Sequence, residues 1–133
     1  MLPLQYSRAW QIGGAFLLLG VFAAMVSPAL GIFPRVSVRT LLHFDKWLHG
    51  GIFFVLTLWY SGQYARHSYW KIALWLLLFG GGIEVIQRFL TYRSGDLMDF
   101  LANLAGIVAG LAIAFAGLGG WSQRLERRFA GGP

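Results

Sequence analysis

Long apolar stretches separated by short polar connections divide this chain of 133 residues into four segments. They cover approximately residues 9–27, 45–64, 70–90 and 99–118, and each is close to the roughly 20 residues that an α-helix needs to cross a bilayer. Residues 119–133 follow as a polar tail. The pattern therefore predicts an all-α integral membrane protein, in which residues 1–133 form a single domain with four transmembrane helices.

The first segment has two interpretations. It contains no charge, begins near Trp10 and ends at Ser27-Pro28, because proline disfavours helical geometry in the residue before it. A transmembrane helix is the favoured interpretation. The alternative is a secretory signal peptide, with Arg8 before the apolar core and small residues, Ser27 and Ala29, before a cleavage site.

The second segment has a marked beginning and end. Residues 29–44 contain Pro34 and several charges, so they are expected to form an extramembrane loop with at most one helical turn. Asp45 follows, and a carboxylate at that point can accept hydrogen bonds from the backbone N–H groups that open a helix. We therefore predict that Asp45 caps the second helix. Near its other end, Trp59 and Tyr60 are typical of an aromatic belt at the membrane interface.

The polar tail is amphipathic if it is helical. Its apolar residues recur every four positions, and three arginines lie opposite them; they are Trp121, Leu125 and Phe129 against Arg124, Arg127 and Arg128. This pattern favours a short helix that lies on the membrane surface. A frayed basic tail is the alternative.

Composition supports a membrane protein. The chain is 57% hydrophobic and 12% charged, with a mean hydropathy of +0.61, whereas soluble domains carry about 25% charged residues. The net charge of +6 fits basic residues near anionic lipid headgroups. Nothing resembles a nucleic-acid motif, so no nucleic-acid partner is expected. The absence of cysteine excludes disulfides and thiolate metal sites.

The positions of the basic residues predict an orientation. Four spans place both termini on one side, and Lys46, Arg88 and Arg93 are set aside because they lie among carboxylates. The remaining basic residues then divide six to two: Arg8, Arg66, Lys71, Arg124, Arg127 and Arg128 on the side of the termini, against Arg35 and Arg39. Because basic residues are retained inside, we predict cytoplasmic termini.

Ionisable and amide side chains are concentrated where the second segment begins, the third ends and the fourth begins. Helix order places all of these points on one face of the membrane, so we expect them to form one polar site. Its ten predicted members are Asp45, Lys46, His49, Glu84, Gln87, Arg88, Arg93, Asp96, Asp99 and Asn103.

Helical spacing indicates which of these side chains share a face. Asp45 and His49 are four residues apart, as are Asp99 and Asn103, and such pairs lie together on a helix. The face of Asn103 continues as a stripe of small residues, Gly106, Gly110, Ala114 and Gly117, which allows another helix to approach closely. Asp99 and Asn103 are therefore predicted to face the protein interior.

Glu84 is the most informative position, because it lies more than one turn inside the third segment. A carboxylate at the centre of a bilayer costs roughly 2.5–3.5 kcal/mol on insertion scales. It must therefore be protonated, paired or in contact with a wet cavity. The sequence offers His49, Lys46 and Arg93 as its partners.

Three motifs together resemble a known family. They are DKxxH (Asp45, Lys46, His49), GxxxExxQ (Gly80, Glu84, Gln87) and RxxDxxDxxxNxxGxxxG (Arg93, Asp96, Asp99, Asn103, Gly106, Gly110). The combination is similar to the VanZ-like family, small polytopic bacterial membrane proteins named after a teicoplanin-resistance factor. The resemblance covers residues 40–115. It implies a compact helical domain in the bacterial cytoplasmic membrane, with these polar residues as its signature and a link to cell-envelope or lipoglycopeptide chemistry.

Three hypotheses for the polar site remain open. In the first, Lys46, Arg88 and Arg93 bind an anionic group, because arginine suits bidentate contact with phosphate or carboxylate, and Glu84 and Asp99 orient them. The ligand would be an envelope lipid, a lipid-linked peptidoglycan precursor or a lipopeptide-type antibiotic in the outer leaflet. We favour this hypothesis and expect no cofactor or resident metal.

The other two hypotheses need no such ligand. One is a purely structural network, in which amides such as Gln87 and Asn103 join helices. The other is an intramembrane enzyme, with His49 and either Glu84 or Asp99 as a general base or as ligands of a hard divalent cation, alone or with Asp96. Transport through Glu84 would require a homo-oligomer, since four spans are few for a carrier.

Overall fold

The computed structural model describes residues 1–27, 38–90 and 97–131, and these ranges contain only helices and connections. A short 3₁₀ turn at Arg66–Ser68 precedes the third helix, and a π-type turn at Ala114–Leu118 continues the fourth. The five helices are α1 (Ser7–Val26), α2 (Val38–Gln63), α3 (Tyr69–Phe89), α4 (Leu97–Ile113) and α5 (Trp121–Ala130). The all-α prediction is confirmed.

Three of these helices are long and apolar enough to cross a membrane. They are α1, α3 with its preceding turn (Arg66–Phe89) and α4 with its following turn (Leu97–Leu118). α2 has 26 residues, but polar side chains near both of its ends, such as Lys46 and Gln63, lower its hydropathy. Length and composition therefore support three of the four predicted spans among the described residues.

α2 is the central helix of the bundle, since it contacts α1, α3, α4 and α5. Phe53, Leu56, Thr57 and Ser61 of α2 are at most 1% exposed. The Thr57 hydroxyl donates a hydrogen bond to the Phe53 carbonyl at 2.7 Å. A helix that its neighbours shield from lipid does not need an apolar surface, because its polar groups find partners inside the protein.

Two glycines of α4 allow it to pack directly against the backbone of α2. A Cβ atom at Gly106 would overlap the Gly50 carbonyl oxygen, and one at Gly110 would lie 2.7 Å from the Thr57 Cβ. Ala114, next in the predicted small-residue stripe, is fully buried. The prediction that this stripe permits a close helix contact is confirmed as far as Ala114.

Gly117, the last member of the stripe, has a different role. Its φ of +140° breaks the helix, and a Cβ atom there would have nothing within 4 Å. Residues other than glycine rarely adopt such a φ. Gly117 therefore turns the chain from α4 towards α5 and does not pack against another helix.

The predicted cap at Asp45 is wrong. α2 begins at Val38, so Asp45 lies in the third turn of the helix. Residues 38–44 lack glycine and proline and include Leu41 and Leu42, so a helix can continue through them. Asp45 is the first acidic residue of this region, but α2 begins before it. The rest of the predicted loop, residues 29–37, lies outside the described residues.

We call the end of the bundle where the termini meet the terminal end. Here α5 is a regular helix, so the frayed-tail alternative is wrong. Trp10 of α1, Trp59 of α2 and Trp121 of α5 pack together, with ring centroids 5.3–5.9 Å apart. The Trp121 indole also donates a hydrogen bond to the Leu58 carbonyl at 2.8 Å. These contacts fasten α5 to the bundle.

Candidate functional site

The opposite end, which we call the polar end, brings together side chains from the beginnings of α2 and α4 and the last part of α3. Lys46 Nζ donates a hydrogen bond to Asp99 Oδ1 at 3.1 Å. One turn further along both helices, His49 Nδ1 lies 3.1 Å from Asn103 Oδ1. His49 Nδ1 is also 3.9 Å from Glu84 Oε1. Polar side chains of the second, third and fourth helices therefore meet. We call Lys46, His49, Glu84, Asp99 and Asn103 the polar cluster.

The order of the pairs follows from the packing of the helices. α2 and α4 run in the same direction, since contacts advance together along both, from Lys46–Asp99 to Gly50–Gly106. Residues three or four apart lie on one face of a helix, so Lys46 and His49 both face α4. The glycine contact at Gly106 then sets how closely the polar side chains above it approach.

Burial separates Lys46 from the rest of the polar cluster. His49, Glu84, Asp99 and Asn103 are 1–5% exposed, whereas the Lys46 side chain is 27% exposed. Buried charged groups in a membrane protein are stabilised by pairing with each other. Lys46 is thus the one member of the cluster that reaches from the buried carboxylates to the surface.

The buried members of the cluster are close enough to act together. His49, Glu84 and Asp99 each offer a ligand atom, and these atoms lie within 4.8 Å of one another. The set joins one imidazole to two carboxylates, the side chains that most often act in general acid–base catalysis. The same donor set, a nitrogen and two carboxylates, is also one that divalent metals accept.

Asn103 lies between α2 and α3 as well as on α4. Its Nδ2 atom is buried and has no hydrogen-bond partner among the described residues. It lies 3.0 Å from the position that a Gly80 Cβ would occupy, so Gly80 leaves room for this amide. At the terminal end of the described structure, Trp59 Nε1 and Ser122 Oγ are also buried without a hydrogen-bond partner.

Other predicted site residues do not join the described cluster. Gln87 is 2% exposed and donates a hydrogen bond to the Met25 carbonyl at 2.7 Å, so it ties α3 to the end of α1. Arg88 is exposed on α3. The side chain of Asp45, and all of Arg93 and Asp96, lie outside the described residues.

Glu126 is a buried carboxylate that the sequence patterns did not single out. It accepts hydrogen bonds from the backbone N–H groups of Gln5 (2.6 Å) and Tyr6 (2.9 Å) and from the Trp10 indole (2.7 Å). Burial alone would raise the pKa of this carboxyl, but these bonds outweigh it, and the pKa lies below its ordinary value of 4.5. α1 has no acidic residue in its first turn, and the lack of a negative charge where the helix dipole favours one is a signal that another segment supplies it.

An apolar helical bundle with an ionisable cluster buried at one end defines a polytopic membrane protein. The chain belongs to the VanZ/LLP1 family, whose family model matches residues 6–118. A relative described as an uncharacterized protein of Schizosaccharomyces pombe is 38% identical over 93 residues, which cover 67% of this chain and 56% of the relative. The chain thus spans about half the length of that relative. No solved structure matches the chain.

Proposed function

We propose that this protein binds the anionic headgroup of a membrane lipid at the polar end, in the outer leaflet. The observation that carries the proposal is the position of Lys46, whose ammonium is fixed by Asp99 while its side chain remains partly exposed. A lysine held by a carboxylate loses less conformational freedom when it contacts a phosphate, because it is already oriented.

The other side chains of the site have supporting roles in this proposal. Asp99 and Glu84 hold the cations, and His49 and Asn103 join the two carboxylate-bearing helices to α2. Arg93 and the exposed Arg88 are the further cations that the sequence offers for bidentate contact with a phosphate.

The organism of the relative narrows the class of ligand. The sequence favours three anionic ligands: an envelope lipid, a peptidoglycan precursor and a lipoglycopeptide antibiotic. The relative is a yeast protein, and yeasts make no peptidoglycan. A phosphate-bearing lipid, which bacterial and yeast membranes share, is therefore the ligand we favour.

The outer-leaflet location rests on four spans with cytoplasmic termini. α2 supplies the fourth span in this proposal, since its 26 residues correspond to about 39 Å of helix. The chain has no native cysteine, so single cysteines report unambiguously. A cysteine at Ser94 or Gly95 is expected to react with a membrane-impermeant maleimide from the cell exterior, and labelling only after lysis would reverse the orientation.

Lys46 variants test the headgroup proposal. The chain has two lysines, and Lys71 at the far end of α3 provides a matched control. In nanodiscs, we expect Lys46→Ala to lose the preference for phosphatidic acid over phosphatidylcholine, Lys46→Arg to keep much of it, and Lys71→Ala to keep all of it. Lipid composition around the purified protein is read by mass spectrometry. An unchanged preference in folded Lys46→Ala would overturn the proposal.

A second candidate function is hydrolysis of a lipid ester or phosphoester. It is favoured by one observation: His49, Glu84 and Asp99 offer ligand atoms that lie within 4.8 Å of one another, and histidine and carboxylates are the residue types that serve as general bases. Purified protein should then release product from a defined lipid phosphate, and His49→Gln should abolish release without loss of lipid binding. Absence of turnover in protein that still binds the lipid would leave binding alone.

A further inference from the structure

A groove between α2 and α4 begins at the polar cluster and runs away from it along the surface of the bundle. Its volume is about 560 Å³, and Lys46 and Trp47 lie at its mouth. Gly51 and Phe54 of α2 and Ala105 and Ala109 of α4 are among the residues that line it. Apart from Lys46, every described residue that lines the groove is apolar or aromatic.

Small residues create this groove. The contact between Gly106 and the Gly50 carbonyl closes its floor. On its α2 side, a Cβ atom at Gly51 would have nothing within 4 Å. The helices thus pack tightly at their line of contact and leave an open furrow beside it.

The depth of the groove in a membrane can be inferred from the residues along it. Trp47 is 81% exposed, and tryptophans on the lipid-facing surface are enriched at the interface. From Lys46 to Phe54 the helix rises about 12 Å. The furrow therefore extends from the headgroup region into the acyl region of one leaflet.

We propose that this groove holds an acyl chain of the lipid whose anionic headgroup contacts Lys46. The inference rests on the proposed function and deepens it, because it selects a ligand with both a phosphate and a flexible hydrocarbon chain. Charge complementarity carries it: among the described residues that line the furrow, the charged group is the partly exposed ammonium of Lys46, which Asp99 orients at the mouth. A soluble phosphate or a polar peptide could use the ammonium but not the furrow.

Gly51 is the position at which the groove can be filled without disturbing the bundle. Gly51→Leu places a side chain in open space, and leucine favours a helix more than glycine does. Gly20→Leu is the matched control, because a Cβ atom at Gly20 also meets nothing within 4 Å and this residue lies on α1, outside the groove. Circular dichroism and size-exclusion profiles should be unchanged in both variants.

The probe is phosphatidic acid with a diazirine in its acyl chain, and phosphatidylcholine with the same chain is its reference. In wild-type protein we expect photolabelling of residues 47–54 and 102–109, with phosphatidic acid labelling more strongly. Gly51→Leu should reduce that labelling by at least about tenfold, which corresponds to 1.4 kcal/mol. Gly20→Leu should leave it unchanged.

The possible failures are distinguishable. If Gly51→Leu keeps the wild-type labelling, the acyl chain lies elsewhere and the groove inference is overturned. The headgroup preference tested with Lys46 can still stand in that case. If both lipids label the groove equally, and Lys46→Ala changes nothing, the headgroup proposal fails and the inference fails with it. If native mass spectra show a dimer that Gly51→Leu dissociates, a second copy fills the groove, which also overturns the inference.

Discussion

Both ends of the bundle bury carboxylates, but the partners of these carboxylates differ in kind. At the terminal end, Glu126 accepts hydrogen bonds from two backbone N–H groups and an indole, none of which titrates near neutral pH. At the polar end, Asp99 and Glu84 contact the ionisable side chains of Lys46 and His49.

This difference in partners indicates that the two ends of the bundle have different roles. Glu126 lies beside the N-terminal end of α1, where it accepts from the N–H groups of Gln5 and Tyr6 just before the helix, and the helix dipole favours a negative charge at that end. Its contacts fix the fold and leave nothing for a ligand to change. The polar cluster holds ionisable side chains that are paired with each other and a partly exposed ammonium, which a charged ligand can contact. Perturbations of the two ends should therefore differ in kind.

Gly106→Ala should damage the polar end most. The new methyl group would overlap the Gly50 carbonyl and force α2 and α4 apart, at a cost of about 2–3 kcal/mol, the upper range for overpacking. The free energy of unfolding in a detergent titration measures this. Gly82→Ala, where a Cβ atom meets nothing within 4 Å, should be neutral or slightly stabilising, and equal stability of the two variants would contradict the packing argument.

A double-mutant cycle on His49 and Asn103 measures the next effect. Their 3.1 Å contact is buried, and interhelical hydrogen bonds in membranes contribute about 0.6–1.7 kcal/mol. We expect a coupling free energy in that range from His49→Ala, Asn103→Ala and the double variant, by the same unfolding titration. Additive costs would mean that the two side chains do not interact, and Lys46–Asp99 would then be the polar contact that joins α2 and α4 at this end.

Acidification should loosen the terminal end through Glu126. Because the pKa of its carboxyl is lower in the folded protein than its ordinary value of 4.5, the stabilisation is complete above that value and is lost as the pH falls through the lower folded pKa. Fluorescence of the packed tryptophans should change in that acidic range. In Glu126→Gln, which cannot titrate, this change should disappear; if it persists unaltered, another group is responsible.

The smallest effect concerns the outward face of α5. Phe129 is 80% exposed, so Phe129→Cys should alter stability by no more than about 0.5 kcal/mol. A nitroxide at residue 129 should nevertheless be more accessible to oxygen, which dissolves in lipid, than to a water-soluble nickel chelate. A nitroxide at Arg127→Cys should show the reverse. Equal chelate access at both positions would mean that α5 does not lie on the membrane.

Several features of the site could be predicted from local spacing. Asp99 and Asn103 face the interior because four-residue spacing and the glycine stripe define one face of α4. Glu84 is buried and paired, as its depth in the third segment requires. By contrast, Gln87 has the spacing of a site residue, but it binds the Met25 carbonyl of α1. Spacing predicts the face of a helix, but it does not tell which neighbour will lie against that face.

The errors and omissions also have physical causes. Asp45 does not cap α2, because residues 38–44 before it favour helical geometry and the helix already runs through them. The role of Glu126 was missed because its partners Gln5 and Tyr6 are 121 and 120 residues away, beyond any local pattern. The central position of α2 was missed for a related reason: hydropathy describes a helix but not the neighbours that shield it.

Local patterns are enough to predict a helical, apolar chain of a recognisable family, with His49, Glu84, Asp99 and Asn103 towards one end. These properties depend on composition and on spacing within single helices, which are local. The packing of the helices is what places Lys46 between the buried carboxylates and an apolar groove, and Glu126 at the opposite end. Both depend on how the helices are rotated and how closely they approach, and contacts such as Gly106 against Gly50 set that geometry.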